Sequence, residues 1–271
     1  MKRNLRSTAS RGGRAAIRHG ACAVLLAMAA PAWAADRTVT LKAQPEAKAD
    51  IVVMPQIDAP VDEAERRINT ALKRLDGNVR KAAKQCTLGD GKPGDWGRSV
   101  ETSMRGPSFV SFVIHDDSFC GGAHPNSSTM SIVYDLTTGA PVDWTKLLPP
   151  SLTGTVALAE GMDGTKMVTL ASKRLHRLYL ERYRPKTGDS KQDDADDKEC
   201  REAVTETFSG DPPAMMAWLD AKEGGLAVQF DLAHVVQACA DTVVIPTAIL
   251  RREGAKPVLV DALDAAHAAS R

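Results

Sequence analysis

Four cysteines beyond residue 34 place the strongest constraint on what this sequence can fold into. Cys86, Cys120, Cys200 and Cys239 are an even number, and no two of them have the spacing of a CxxC redox or zinc pair. In an oxidising compartment such a set indicates two disulfide bonds, and four cysteines allow three different pairings. We predict that Cys86 pairs with Cys120 and Cys200 with Cys239, because each pair then lies within one contiguous segment.

The first 34 residues have the pattern of a secretory signal, which would supply that oxidising compartment. Residues 1–20 carry six basic side chains and no acidic one, and residues 21–30 form a short apolar run. Small residues then precede a predicted cut between Ala34 and Ala35. A bilayer span needs about 20 apolar residues. We therefore predict a periplasmic or secreted protein without membrane insertion after signal removal; an uncleaved N-terminal anchor is the alternative.

Removal of the signal turns a nearly neutral chain into an acidic one. The 271 residues carry 35 Lys+Arg and 34 Asp+Glu. Without the six basic residues of the signal, 29 basic residues face 34 acidic ones, a net charge of −5. A chain with a net negative charge is not attracted to a phosphate backbone, so no nucleic acid partner is predicted. We predict a single domain over residues 35–271, with a mobile acidic loop at residues 185–199.

Hydrophobic spacing predicts helices and strands in separate groups along the chain. Apolar residues in steps of three and four from Val61 to Cys86 predict a helix of about seven turns. Lys166 to Arg184 shows a similar pattern and predicts a second long amphipathic helix. Strands are predicted mainly in the middle and at the end of the chain. This grouping favours a disulfide-stabilised α+β fold, with antiparallel sheets packed against two long amphipathic helices.

The densest cluster of side chains with catalytic potential is His115, Asp116, Asp117 and His124. Two imidazoles and two carboxylates can hold a metal ion or act as an acid and a base. Their spacing matches no HExxH motif, and the adjacent Asp116 and Asp117 point to opposite faces if they lie on a strand. We predict structural roles, no catalytic residue, no metal site and no cofactor. A hydrolase or metal-dependent enzyme that uses this cluster is the alternative.

Three motifs in the middle of the chain share the pattern of one known family. Residues 120–125 read CGGAHP, residues 131–139 read SIVYDLTTG, and residues 143–148 read DWTKLL. Together they resemble the extracytoplasmic domain of RsiV-type anti-sigma factors, which also occurs in PdaC-type peptidoglycan deacetylases. The resemblance marks a set of motif residues with a structural or binding role: Gly121, Gly122, His124, Tyr134 and Asp135.

The resemblance implies an α+β domain that binds a partner outside the cytoplasm, which in RsiV-type proteins is lysozyme. We therefore expect a binding module, not an enzyme, that recognises a lysozyme-like hydrolase or a cell-wall component such as peptidoglycan. The sequence lacks the sigma-binding segment, the membrane anchor and the deacetylase domain of those relatives, so neither signalling nor deacetylation is implied. Residues 231–241 also depart from the family pattern, and partner specificity can differ there.

Overall fold

The computed structural model describes residues 37–184, 191–205, 212–230 and 239–271, which fold into antiparallel sheets flanked by helices. The strands are β1 (Leu41–Lys42), β2 (Gln56–Ile57), β3 (Asp95–Arg105), β4 (Phe109–Phe119), β5 (Asn126–Asp135), β6 (Thr155–Glu160), β7 (Lys166–Ala171), β8 (Met215–Asp220), β9 (Gly225–Phe230) and β10 (Val243–Pro246). The helices are α1 (Glu63–Gln85), α2 (Trp144–Leu147), α3 (Pro150–Thr153), α4 (Lys173–Leu180), α5 (Lys191–Thr205), α6 (Thr247–Glu253) and α7 (Pro257–Ser270). The predicted α+β class with antiparallel sheets is confirmed.

Two antiparallel sheets pack against each other and enclose most of the core. One has the strand order β3-β4-β5 and the other β10-β9-β8-β7-β6, while β1 and β2 form a separate short pair. Strand β8 of the larger sheet contacts all three strands of the smaller sheet. Polar bonds fix this contact: Leu219 N donates to Ser111 Oγ at 3.2 Å, and Ser131 Oγ donates to the Ala217 carbonyl at 3.2 Å. Strands β8 and β9 are almost completely buried as a result.

Helix α1 confirms the first of the two predicted long helices. Asp62 caps its start, since the carboxylate accepts a hydrogen bond from Glu65 N at 2.9 Å. The buried face carries the predicted apolar residues, among them Ile68 and Leu72, both 0% exposed. Asp76 on the same helix accepts a hydrogen bond from Met54 N at 2.8 Å, and burial raises the pKa of this carboxyl. The helix therefore holds the segment around β2 against the core.

The second predicted long helix, Lys166 to Arg184, is wrong in its first part. Residues 166–171 form β7, which pairs with β6 along its whole length and with β8 at Thr169 and Leu170. Helix α4 begins only at Lys173, after Ser172 caps it by accepting a hydrogen bond from Leu175 N at 3.1 Å. The apolar residues of the segment also fit a two-residue period, and pairing on both sides decides in favour of the strand.

The acidic segment at residues 185–199 is not a loop throughout. Helix α5 begins at Lys191, whereas residues 185–190 lie outside the described part of the chain. Two residues hold the helix against the core: Cys200 forms a disulfide, and Val204 is 0% exposed. Composition alone favours a solvated loop, but these anchors near the end of the segment stabilise a helix. The predicted signal with its cut at Ala34–Ala35 also lies outside the described residues, and the extent 35–271 stays a prediction.

Both predicted disulfide bonds are present with the predicted pairing. Cys86, directly after α1, bonds Cys120 at the end of β4, and Cys200 of α5 bonds Cys239 ahead of β10. Each bond joins a helix to a strand region that is more than 30 residues away in sequence. Disulfides of this kind are typical of proteins outside the cytosol. Within the described ranges, no helix combines the length and the apolar character needed to cross a membrane.

Candidate functional site

The structure does not bring the predicted His and Asp cluster together. His115 and Asp117 point to the exposed face of β4, whereas Asp116 between them is 0% exposed on the opposite face. His115 Nδ1 lies 3.1 Å from Thr129 Oγ1 on β5, and His124 lies in the loop that joins β4 and β5. Among the residues with a described structure, no three His, Cys, Asp or Glu side chains are placed to hold a metal ion. Because Asp116 points away from His115 and Asp117, these three residues do not form one site on β4.

Asp116 belongs to a buried charge network that sequence reasoning missed. Arg98 Nε donates to Asp116 Oδ1 at 2.6 Å, and Arg98 Nη2 donates to Asp163 Oδ2 at 2.8 Å. The three side chains are 0% exposed. Burial opposes the charge of Arg98, but the hydrogen bonds and charges of the two aspartates outweigh it, so the pKa of the guanidinium is raised. Asp163 lies 65 residues from Arg98 in sequence, which is why no local pattern reveals the network.

The network fastens the β6–β7 hairpin to the smaller sheet. Asp163 lies in the turn of that hairpin and accepts hydrogen bonds from Thr165 N at 2.8 Å and Thr165 Oγ1 at 2.9 Å. Asn78 of α1 donates to the same Thr165 hydroxyl at 3.0 Å. The carboxylates are therefore fully engaged and shielded from solvent. Their role is structural, and it fixes where the hairpin lies relative to α1.

Gly121 and Gly122 of the GGAH motif allow the β4–β5 loop to adopt positive φ angles. Their φ angles are +86° and +107°, a region that residues with a side chain rarely adopt. A Cβ at Gly121 would also lie 3.3 Å from the Gly89 nitrogen. The Cys86–Cys120 disulfide closes the same loop onto the end of α1. The backbone conformation of the loop therefore accounts for glycine at both positions.

Asp135 has an equally local role in the YDL-TTG turn. Its Oδ1 accepts hydrogen bonds from Thr137 N at 2.7 Å and Thr138 N at 3.1 Å. Gly139 closes the turn with a φ of +72°, and a Cβ there would lie 2.4 Å from the Ala64 carbonyl oxygen. The turn therefore packs directly on the first turn of α1. Tyr134, the neighbour of Asp135, points elsewhere.

Tyr134 lines a groove between α1, β5 and the β6–β7 hairpin, which we call the Tyr134 groove. Its volume is about 380 Å³, within the range of binding sites for small molecules or short peptide segments. Most of the lining side chains are apolar. The lining residues are Ala71, Arg74, Leu75, Ser131, Ile132, Val133, Tyr134, Pro141, Val142, Trp144, Leu158, Lys166, Met167, Val168 and Ala217.

The polar side chains of the Tyr134 groove are one phenol, two cations and the Ser131 hydroxyl, which donates to the Ala217 carbonyl at 3.2 Å. Tyr134 is only 3% exposed, and burial raises the pKa of its hydroxyl to about 12, with a small opposing effect of Arg74. Arg74 and Lys166 are exposed at the rim, and neither makes an ion pair within the described part of the chain. No carboxylate, thiol or imidazole lines the groove. Such a site suits the binding of an apolar segment that carries a carboxylate.

Sequence reasoning identified part of the groove. The family motifs pointed to Tyr134, whereas Leu158 and Lys166 carried no signal because residues from 166 onward were interpreted as helix. The sequence does contain a pattern typical of a β-hairpin, since residues 155–160 and 166–171 flank a short turn that contains Gly161 and Gly164. A hairpin interpretation would have placed both strands beside the groove.

The tyrosines provide a test of the packing of the core, with Tyr134 reporting on the groove itself. The chain has three, Tyr134, Tyr179 and Tyr183, and burial is the largest cause of a raised pKa at each hydroxyl. We expect less tyrosinate absorbance at 295 nm at pH 10.5 in the native protein than in denaturant, where the tyrosines ionise near pH 10. The native state holds protons that the unfolded chain releases, so stability falls as the pH rises above about 10. A native tyrosine that titrates at pH 10 would contradict this packing.

Comparisons with known proteins give structural neighbours only. No family model matches the sequence, and no curated protein matches it. Two solved structures of DUF3298 family proteins are similar in fold to this chain. The one from Bacteroides fragilis has 16% identity and a TM-score of 0.40 over 72% of this chain and 66% of its own. The one from Pseudomonas aeruginosa has 11% identity and a TM-score of 0.44 over 83% of this chain and 94% of its own.

Because fold similarity at this level does not define function, the functional argument depends on the residues of this chain.

Proposed function

We propose that this protein is an extracytoplasmic binding module whose Tyr134 groove receives a segment of a protein partner. The observation that carries the proposal is the composition of the groove, which is apolar inside and cationic at its rim, with no carboxylate, thiol or imidazole in its lining. The buried network around Arg98 holds one wall of the groove in place. The two disulfides fit a protein that works outside the cytosol.

We propose a lysozyme-like hydrolase as the partner. The support comes from the motif resemblance, because Tyr134 is both a residue of the YDL-TTG motif and a wall of the groove. The net charge of −5 after signal removal favours long-range attraction of a cationic enzyme. The rim cations Arg74 and Lys166 would then meet a carboxylate on the segment that enters the groove.

Binding of the oxidised mature chain to a c-type lysozyme tests this proposal. We expect a Kd in the micromolar range or tighter by biolayer interferometry, retained at physiological salt because apolar contacts in the groove are not screened. Affinity that appears only at low salt would indicate nonspecific charge attraction and contradict the proposal. Binding to purified peptidoglycan without binding to lysozyme would replace the hydrolase with the cell wall as the partner.

A further inference from the structure

Strand β6 is an open edge of the larger sheet. It lies last in the strand order, and nothing in the described part of the chain pairs with its outer side. Both edges of the smaller sheet, in contrast, carry pairing partners. Arg98 N on β3 donates to the Asp50 carbonyl at 2.8 Å, and Val142 N donates to Val133 on β5 at 2.9 Å. Proteins usually protect edge strands from unwanted pairing, so an exposed one beside a groove suggests a use.

The hairpin geometry shows which backbone groups of β6 point outward. Gly161 N donates to the Thr165 carbonyl at 2.8 Å, so Gly161 is a hydrogen-bonded position of the β6–β7 ladder. Such positions alternate in antiparallel pairs. The residues at the alternate positions, which direct their N–H and C=O groups away from β7, are therefore Val156, Leu158 and Glu160. They present a row of free donors and acceptors about 14 Å long.

Two apolar side chains follow the same row. Leu158 is 67% exposed and Val156 is 41% exposed, unusual values for large apolar residues on an edge strand. In the register of the hairpin, Leu158 lies opposite Val168, and Glu160 lies opposite Lys166. Directly opposed residues share one face of a sheet, so the side chains of this row stand on the face that borders the Tyr134 groove.

We propose that β6 binds an extended segment of the partner as a sixth antiparallel or parallel strand of the larger sheet. The outward groups of β6 supply the main-chain hydrogen bonds, and alternate side chains of the segment enter the Tyr134 groove. Since the groove is apolar with two cations at its rim, the segment carries apolar residues and one carboxylate at these alternate positions. This proposal rests on the proposed function and names the mode by which the groove is occupied.

A synthetic peptide tests the mode directly. The probe has seven residues, with threonine at odd positions and valine, glutamate and valine at the even ones; the control peptide replaces glutamate with lysine. At physiological salt we expect the glutamate peptide to bind the oxidised chain, and the lysine peptide to bind about threefold to fivefold more weakly. Hydrogen exchange should slow at the amides of Val156, Leu158 and Glu160. Equal affinity for both peptides, or protection confined to other regions, would overturn the proposal.

A pair of variants separates the backbone from the side chain at the centre of the row. Leu158→Pro removes an N–H that the β6–β7 ladder does not use, so the sheet should stay folded, while Leu158→Ala keeps that N–H. We expect loss of peptide binding for the proline variant and a several-fold loss for the alanine variant, each with native circular dichroism. Unchanged binding by Leu158→Pro would overturn strand addition.

Two further outcomes separate this proposal from the one on which it rests. Lysozyme binding that survives Leu158→Pro would overturn strand addition and leave the proposed function intact. Peptide binding without lysozyme binding would support strand addition and contradict the proposed partner. A native dimer that Leu158→Pro converts to a monomer would show that a second copy occupies the edge, which also overturns the proposal.

Discussion

Replacement of Asp116 by alanine is expected to lower the free energy of unfolding by about 3–5 kcal/mol. The side chain is 0% exposed and accepts hydrogen bonds from Arg98 and from Trp96 Nε1, the latter at 3.2 Å. Among the described residues, its loss leaves the buried guanidinium with Asp163 as its one remaining ionic partner. The cost of an incompletely paired buried charge exceeds that of most point mutations. Urea unfolding, followed by circular dichroism, measures the change.

Asp117→Ala is the matched control for this prediction. Asp117 is the next residue on β4, has the same side chain and points to the exposed face. Its replacement should change the free energy of unfolding by no more than about 0.5 kcal/mol. If the two variants were equally stable, the buried network would contribute nothing to the fold. The position of the hairpin beside the Tyr134 groove would then need another explanation.

Loss of the Cys86–Cys120 disulfide is expected to cost about 2–4 kcal/mol. The bond closes a loop over a sequence separation of 34 and ties the end of α1 to the β4–β5 loop. In the reduced chain, the unfolded state gains the conformational freedom that the bond removes. The double variant Cys86→Ser with Cys120→Ser, compared with the wild type in urea, measures this cost.

The second disulfide supplies the comparison. Cys200→Ser with Cys239→Ser opens a loop of similar size, with a separation of 39, so a similar loss is expected from the chain entropy. That variant should in addition loosen helix α5, which carries Cys200 and the buried Val204. An unchanged urea midpoint in either double variant would show that the bond in question does not stabilise the fold.

The sequence predicted correctly those elements that a local pattern of residues determines. Helix α1 has a cap at Asp62 and an apolar face that repeats over six turns, so its prediction needed no tertiary information. The disulfide pairing followed from proximity along the chain. The segment from Lys166 failed because its apolar residues fit both periods, and pairing with β6 and β8 decided between them.

The candidate site was less predictable because it is assembled from distant parts of the chain. Arg74 comes from α1, Tyr134 from β5 and Lys166 from β7, and no local spacing connects these positions. The buried network has the same character, since Arg98 and Asp163 meet only after the two sheets pack. Conversely, the visible cluster of His115, Asp116 and Asp117 was divided by the alternation of side chains along β4.

We propose that a lysozyme-like partner occupies the Tyr134 groove. The most direct measurement compares lysozyme binding by the wild type and by Ala71→Arg at physiological salt. Ala71 lines the groove from α1, so an arginine there fills it, while Lys73→Arg on the exposed side of the same helix serves as the control. We predict that the wild type and Lys73→Arg bind equally and that Ala71→Arg loses about tenfold or more, which corresponds to about 1.4 kcal/mol. Equal binding by all three, or no binding by the wild type, would contradict the claim.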